Sequence, residues 1–184
     1  MTFKPEPLRE YKYVAESRCY KTARIFPNDV NDHNTLFGGK LMSYIDDIAS
    51  ISASKHCRRP VVTASTDSVD FLHPIRTTDY VSLESFVTWT GRTSMEVFVK
   101  VIAEDLRTGE RKIAATSFLT FVALDEQNNP VPVPRVVPQT EEEIKLHETA
   151  VQRAEMRRRR REESKKFADY LTDRFPWESL PSQN

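Results

Sequence analysis

The chain has 184 residues, enough for one well-packed domain with some remainder. Lys plus Arg number 27 and Asp plus Glu number 27, so the whole molecule has no electrostatic case for nucleic acid or an anionic membrane, and any such case must be local. Two cysteines, Cys19 and Cys57, are too few for a disulfide framework and lack metal-ligand spacing, which predicts packed thiols in a reducing cytosol.

The N-terminal run MTFKPEPLREYKYVAE carries proline and charge every few residues, and no later apolar run approaches the roughly 20 residues that span a bilayer. The expectation is a soluble, cytoplasmic protein. Residues 18–26 (RCYKTARIF) read as a first strand. Residues 39–56 read as a helix, with Leu41, Ile45, Ile48 and Ser52 on one face and Gly38-Gly39 at its entrance.

Four runs rich in Val, Thr, Phe and Ile follow at 61–71, 79–90, 94–105 and 111–124, as strands should be. Thr90-Gly91-Arg92-Thr93 and Leu106-Arg107-Thr108-Gly109-Glu110 have hairpin length, so the last three runs form an antiparallel meander. One long helix against such a sheet is an α+β layer pair. The stretch NPVPVPRVVP (129–138) holds four prolines and marks an extended boundary. Thr140 and Glu143 then make a capping box that opens a charged helix to about residue 170. Its thin apolar stripe is Ile144, His147, Val151 and Ala154.

At about 100° per residue, Asp46 falls at the edge of the helix's apolar arc, beside Met42 and Ala49, whereas Asp47 points away from it. Asp46 is expected to be partly desolvated at that boundary. A helix-dipole role for it fits poorly, because it stands about two turns in and the dipole effect fades beyond the first turn. Asp47 is expected to be solvated.

The segments Asn34-Thr-Leu-Phe-Gly-Gly39, Leu41-Met-Ser-Tyr-Ile-Asp46, Asp70-Phe-Leu-His-Pro-Ile75, Gly91-Arg-Thr-Ser94 and Pro134-Arg135 occur in that order. Together they resemble the hotdog-fold acyl-CoA thioesterases of the cytosolic acyl-CoA hydrolase type. The resemblance covers residues 15–138, and residues 139–184 form a charged helical extension outside it. It implies a hotdog fold, in which an antiparallel sheet wraps one long central helix. It also implies hydrolysis of acyl-CoA to CoA and a carboxylic acid, with no cofactor, CoA being part of the substrate.

On this resemblance Asp46 takes the place of the catalytic acid, as general base or nucleophile. Unpaired N–H groups at the helix start, Gly39 above all, would bind the oxyanion, and glycine at 38 and 39 lets the acyl group approach. Asn34 answers the family's polar position before Gly-Gly and would orient water or hold the thioester oxygen. Arg92, Thr93, Ser94 and Arg135 suit the phosphates of CoA, and Phe71 lines either the acyl tunnel or the core.

Gly39 to Asp46 already spans roughly 10 Å of helix, which leaves Asn34 too far from Asp46 within one chain unless its loop folds back. The resemblance implies a homodimer in which Asn34 of one protomer faces Asp46 of the other, assembled further into a higher oligomer such as a hexamer. No G-x-S-x-G elbow is present, and the histidines lack the H-x-x-x-H spacing of a zinc site. The alternative is a non-catalytic acyl-CoA sensor. Arg157–Arg161 offers it little support, because neighbouring glutamates pair with such a run along a solvated helix.

Overall fold

A computed structural model describes residues 10–175. In chain order the elements are β1 (Tyr11–Tyr13), α1 (Val14–Ser17), β2 (Cys19–Arg24), a 3-10 turn (Pro27–Asp29), α2 (Gly38–Cys57), β3 (Val61–Phe71), β4 (Asp79–Thr90), β5 (Ser94–Asp105), β6 (Arg111–Ala123), β7 (Arg135–Val137) and α3 (Glu141–Tyr170). The five long strands form one antiparallel sheet in the order β2-β4-β5-β6-β3. The expected strand, helix and meander are therefore present, with boundaries within a residue or two of those read from periodicity.

Helix α2 forms because its apolar residues recur at helical spacing, and it ends at Arg58, a left-handed cap whose N–H bonds Ser54 O. Its inner face, Leu41, Ile45, Ile48, Ala49 and Ala53, is fully buried with Val81, Leu83 and Val87 of β4, Val97, Val99 and Val101 of β5, and Leu119 and Phe121 of β6. Each such leucine or isoleucine contributes about 1.5–3 kcal/mol by leaving water. Ser52 and Ser85 pair their hydroxyls where the helix crosses β4, and Ser85 Oγ also donates to Ile48 O (3.1 Å), so this buried polar contact is satisfied. A sheet packed around a single long helix is the hotdog arrangement.

The opposite face of the sheet carries an aromatic ladder, Phe86–Phe98–Phe118, with ring centroids 5.7 and 5.0 Å apart. The Arg18 guanidinium lies 4.2 Å above Phe86 and pairs with both Glu84 and Glu143. Glu143 is 3% exposed and accepts from Gln139 N–H (2.8 Å) and Thr140 N–H (3.1 Å), while Glu143 N–H donates to Thr140 Oγ1 (3.3 Å). This is the expected capping box, and it fastens the first turn of α3 to the sheet.

The structure differs from the sequence reading in three places. Strands β1 and β7, which pair in parallel, and the single-turn α1 were not expected, because three- and four-residue elements carry no periodicity. Arg135 N–H donates to Glu10 O (3.1 Å), so part of the proline-rich boundary is a strand of this small second sheet. The face of α3 agrees only in part: of the expected stripe His147 turns inward, its Nδ1 donating to Thr88 O (2.8 Å), but Ile144 and Val151 are exposed at 42% and 62% while Glu143 and Leu146 turn inward. Ion pairs and hydrogen bonds to the sheet set that face, so hydrophobic periodicity was the wrong guide. The chain divides into two compact units between Glu148 and Thr149.

Candidate active site

Asp46 sits on the second turn of α2, and its Oδ1 accepts a hydrogen bond from Thr63 Oγ1 of β3 at 2.9 Å. It is exposed in the single chain, so the partial desolvation expected from its place on the helical arc is not provided within one chain. Asp47 is also exposed and pairs with Lys21, whose ammonium lies 4.8 Å from the Tyr44 ring. The two adjacent carboxylates therefore have separate partners, a hydroxyl for one and a cation for the other.

Thr63 lies on the α2 side of β3 in unbroken register with Val61, and the strand becomes irregular just past it. It pairs with Phe121, a core residue on the α2 side, whereas Ser65 pairs with Thr120 on the other side. Two residues apart, Thr63 and Ser65 would share a face in a regular strand; the register shift between them separates the faces. Nothing in the sequence run of small polar residues TASTDS marked Thr63 for this position. Its signal is tertiary.

The loop before α2 is built around Asn31. Its Oδ1 accepts from His33 N–H (2.9 Å), Thr35 N–H (3.2 Å) and Thr35 Oγ1 (3.2 Å), and its own N–H donates to Thr35 O (2.8 Å). The Asn31 Nδ2 group bonds nothing among the described residues. Asn34, the asparagine singled out from the sequence, is exposed, holds φ at 58° and donates its N–H to Asn31 O (2.9 Å). Asparagine tolerates that left-handed conformation better than most residues, so Asn34 serves the turn while the Asn31 side chain is the one fixed by the loop. The distinction was open to turn chemistry but not to spacing from Gly-Gly.

Gly38 and Gly39 are the first two residues of α2, and neither N–H bonds a group among the described residues, whereas Lys40 and Leu41 N–H both bond Phe37 O. A Cβ on Gly39 would lie 2.6 Å from the Phe37 ring, and one on Gly38 would lie 3.5 Å from the Phe71 ring. Phe37 and Phe71 are both more than half exposed. Two donors thus open between two exposed aromatic rings.

The remaining expected residues lie elsewhere. Arg92 and Thr93 form the β4–β5 hairpin, with Gly91 N–H closing the turn onto Ser94 O (2.8 Å). Val133 N–H bonds Arg92 O (3.0 Å) and Ala123 N–H bonds Thr93 O (3.0 Å), so main-chain bonds hold the hairpin and the Arg92 side chain is exposed. Arg135 is exposed on β7. His33 is exposed, and His73 Nδ1 donates to Ile113 O (2.9 Å), so neither is aimed at Asp46 by a bond. Among the described residues no three His, Cys, Asp or Glu side chains converge as a metal site would require.

A profile of the Thioesterase superfamily matches residues 33–110. The chain is 67% identical over 168 residues to an uncharacterized acyl-CoA thioester hydrolase of Bacillus subtilis, covering 91% of this chain and 98% of that one. An acyl-CoA hydrolase from Bacillus cereus superposes with a TM-score of 0.86 at 65% identity, covering 88% of this chain and 99% of that one. An acyl-CoA hydrolase from Staphylococcus aureus, solved with butyryl coenzyme A, coenzyme A and coenzyme A disulfide, gives 0.84 at 48%, covering 88% and 98%. A related acyl-CoA thioesterase, 51% identical with a TM-score of 0.81 and coverage of 83% and 97%, is hexameric.

The Staphylococcus enzyme has also been solved as asparagine-, aspartate- and threonine-to-alanine variants, at positions fifteen and then seventeen residues apart. Asn31, Asp46 and Thr63 stand at the same two intervals.

Proposed function

Because the chain belongs to the Thioesterase superfamily and is an acyl-CoA thioester hydrolase, we propose that Asp46 is the general base of this reaction, oriented by Thr63. The Thr63 hydroxyl holds Oδ1 and leaves Oδ2 to accept a proton from water. The water oxygen adds to the thioester carbonyl carbon, the carbonyl becomes an oxyanion, and the carbon–sulfur bond then breaks. The CoA thiolate takes up a proton as it leaves, and the second product is the carboxylic acid.

The free N–H groups of Gly38 and Gly39 stabilise the oxyanion, and the Asn31 amide is the further donor for the water or the carbonyl. Gly39 and Asp46 are seven residues apart on one helix, roughly 10 Å at 1.5 Å per residue, too far to act on one carbonyl. The site is therefore completed by a second copy. Strand β3 supports this, being an eleven-residue sheet edge whose outer side pairs with no strand among the described residues. The same association removes Asp46 from water. Arg92 and Arg135 supply exposed cations and Thr93 and Ser94 half-buried hydroxyls for the CoA phosphates, and Phe71 lies at the acyl entrance. Free thiols at Cys19 and Cys57 suit a cytoplasmic setting.

The observation that carries the reading is the bond between Thr63 and Asp46. Thiol release from acyl-CoA of graded chain length, by the wild type and by Asp46→Ala, tests it. Activity in the wild type that falls at least about 100-fold in the variant is expected. CoA binding without release by the wild type would instead identify a sensor.

A further inference from the structure

Strand β3, which carries Thr63, is distorted just past that residue, and the distortion has its own fastening. Two register shifts interrupt the pairing of β3 with β6, one between Thr63 and Ser65 and the other between Thr66 and Ser68, so Ala64 and Asp67 are the inserted residues. The side chain of the second inserted residue reaches back across the first. Asp67 Oδ1 accepts from Ser65 Oγ at 2.6 Å, and Asp67 Oδ2 accepts from Thr120 Oγ1 of β6 at 2.7 Å. One carboxylate thus binds the residue just past the first bulge and the strand opposite it.

The direction of this clamp matters. Ser65 and Thr120 are register partners on the face away from α2, while Thr63 and Phe121 are partners on the α2 face. Holding Ser65 against Thr120 fixes the bulge at Ala64 and ties the strand to β6 immediately past Thr63, whose own α2-facing register runs unbroken from Val61. Strand β3 is an edge of the sheet, so among the described residues β6 is the one strand that holds it in register. Without the clamp a one-residue slip would return Thr63 to the other face.

We infer that Asp67 is a positioning residue for the hydrolysis, setting the Thr63 hydroxyl on Asp46 through the paired bulges of β3. The inference rests on the proposed role of Asp46 and Thr63. Asp67 touches no reacting atom, and its effect passes through Thr63.

The test is a double-mutant cycle on the full chain, with kcat and KM from thiol release and folding checked by circular dichroism and thermal melting. Asp67→Ala should lower kcat about 10-fold or more while KM stays within about 2-fold, since small misplacements of a catalytic group carry penalties of that order. In a Thr63→Val background the same Asp67→Ala change should alter kcat less than about 2-fold. Thr120→Val, which removes the clamp from the β6 side, should repeat both results and carries the test if Asp67→Ala does not fold. Asp67→Asn, able to accept one hydroxyl and donate to the other, should restore part of kcat. An equal fold-loss with and without the Thr63 hydroxyl would overturn the inference, and so would unchanged kcat in folded Asp67→Ala and Thr120→Val proteins. Retained activity in Asp46→Ala would instead overturn the proposed site itself, which separates the two failures.

Discussion

The Thr63 hydroxyl donates to Asp46 across 2.9 Å and joins the edge strand to the central helix, whereas the neighbouring Asp47 is held by Lys21. Asp46→Ala and Asp46→Asn should each reduce kcat by about 100-fold or more, with acyl-CoA binding largely kept. Asp47→Asn should keep most of the activity, because it removes only an exposed ion pair worth less than about 1 kcal/mol. Single-turnover hydrolysis in 18O-labelled water decides how Asp46 acts. A general base leaves the label in the acid alone, and a nucleophile carries it into the protein.

Asn31 and Asn34 are expected to part company. Asn31→Ala removes the acceptor of three loop hydrogen bonds and the free amide donors, and should abolish most thiol release. Asn34→Gly should retain activity, since glycine accepts a φ of 58° without strain. Refolding inactive Asn31→Ala with inactive Asp46→Ala protein should restore about a quarter of wild-type activity, because random pairing makes half the dimers mixed, each with one intact shared site. A mixture that stays inactive while native mass spectrometry confirms mixed dimers would place both residues in one protomer's site.

Gly39→Ala should fold and lose activity. Its Cβ would meet the Phe37 ring at 2.6 Å, but that ring is 57% exposed and can swing away at small cost. The displaced ring and the new methyl then crowd the free N–H groups at the start of α2. A fall in kcat of about 10-fold or more with the melting temperature nearly unchanged is the expected outcome, the size typical of a weakened oxyanion donor.

Truncation should distinguish the first turns of α3 from the rest. A chain ending at residue 148 keeps the Glu143 pair with Arg18 and the His147 bond to Thr88 O, and should melt close to the full-length protein and release thiol. A chain ending at residue 138 loses both and leaves the Arg18 guanidinium to Glu84 alone. Its melting temperature should fall by about 5 °C or more, as a loss of 1–3 kcal/mol implies for a domain of this size.

Acid should destabilise the protein in two steps. Burial holds the His56 imidazole below its ordinary value, and the bond of Nε2 to Pro134 O (2.9 Å) offsets this only in part. The unfolded chain takes up that proton near pH 6.5 and the folded chain only below it, so this stability is present above about pH 6.5 and is lost as the pH falls. Burial alone would raise the carboxyls of Glu84 and Glu143. The bonds of Glu84 to Lys100 and Arg18, and of Glu143 to Gln139 N–H, Thr140 N–H and Arg18, outweigh it and hold both below the ordinary range. Their contribution is present above about pH 4.3 and is lost as the pH drops through their folded values. Urea melts from pH 8 to 3 should show both steps, and His56→Gln, which keeps a donor for Pro134 O, should remove only the first.

Sequence alone determined the elements whose signals are local. Leu41, Ile45, Ile48 and Ser52 recur at helical spacing, the four strand runs are rich in branched and aromatic residues between short turns, and Thr140 with Glu143 caps α3; each of these is decided by neighbours within a few residues. Asp46 was legible for the same reason, as a carboxylate on a helix whose apolar arc can be drawn from the sequence. Tertiary structure decided what depends on a distant partner. Asn31 rather than Asn34 has its side chain held because the loop closes on Asn31 Oδ1, and Thr63 meets Asp46 because β3 packs beside α2. The inner face of α3 follows Arg18 and the Thr88 carbonyl, which bind Glu143 and His147, more than its own apolar stripe. Strand order and register shifts are set by long-range pairing, whose free energy is gained only when segments far apart in the chain meet, and no window of the sequence contains both sides of that contact.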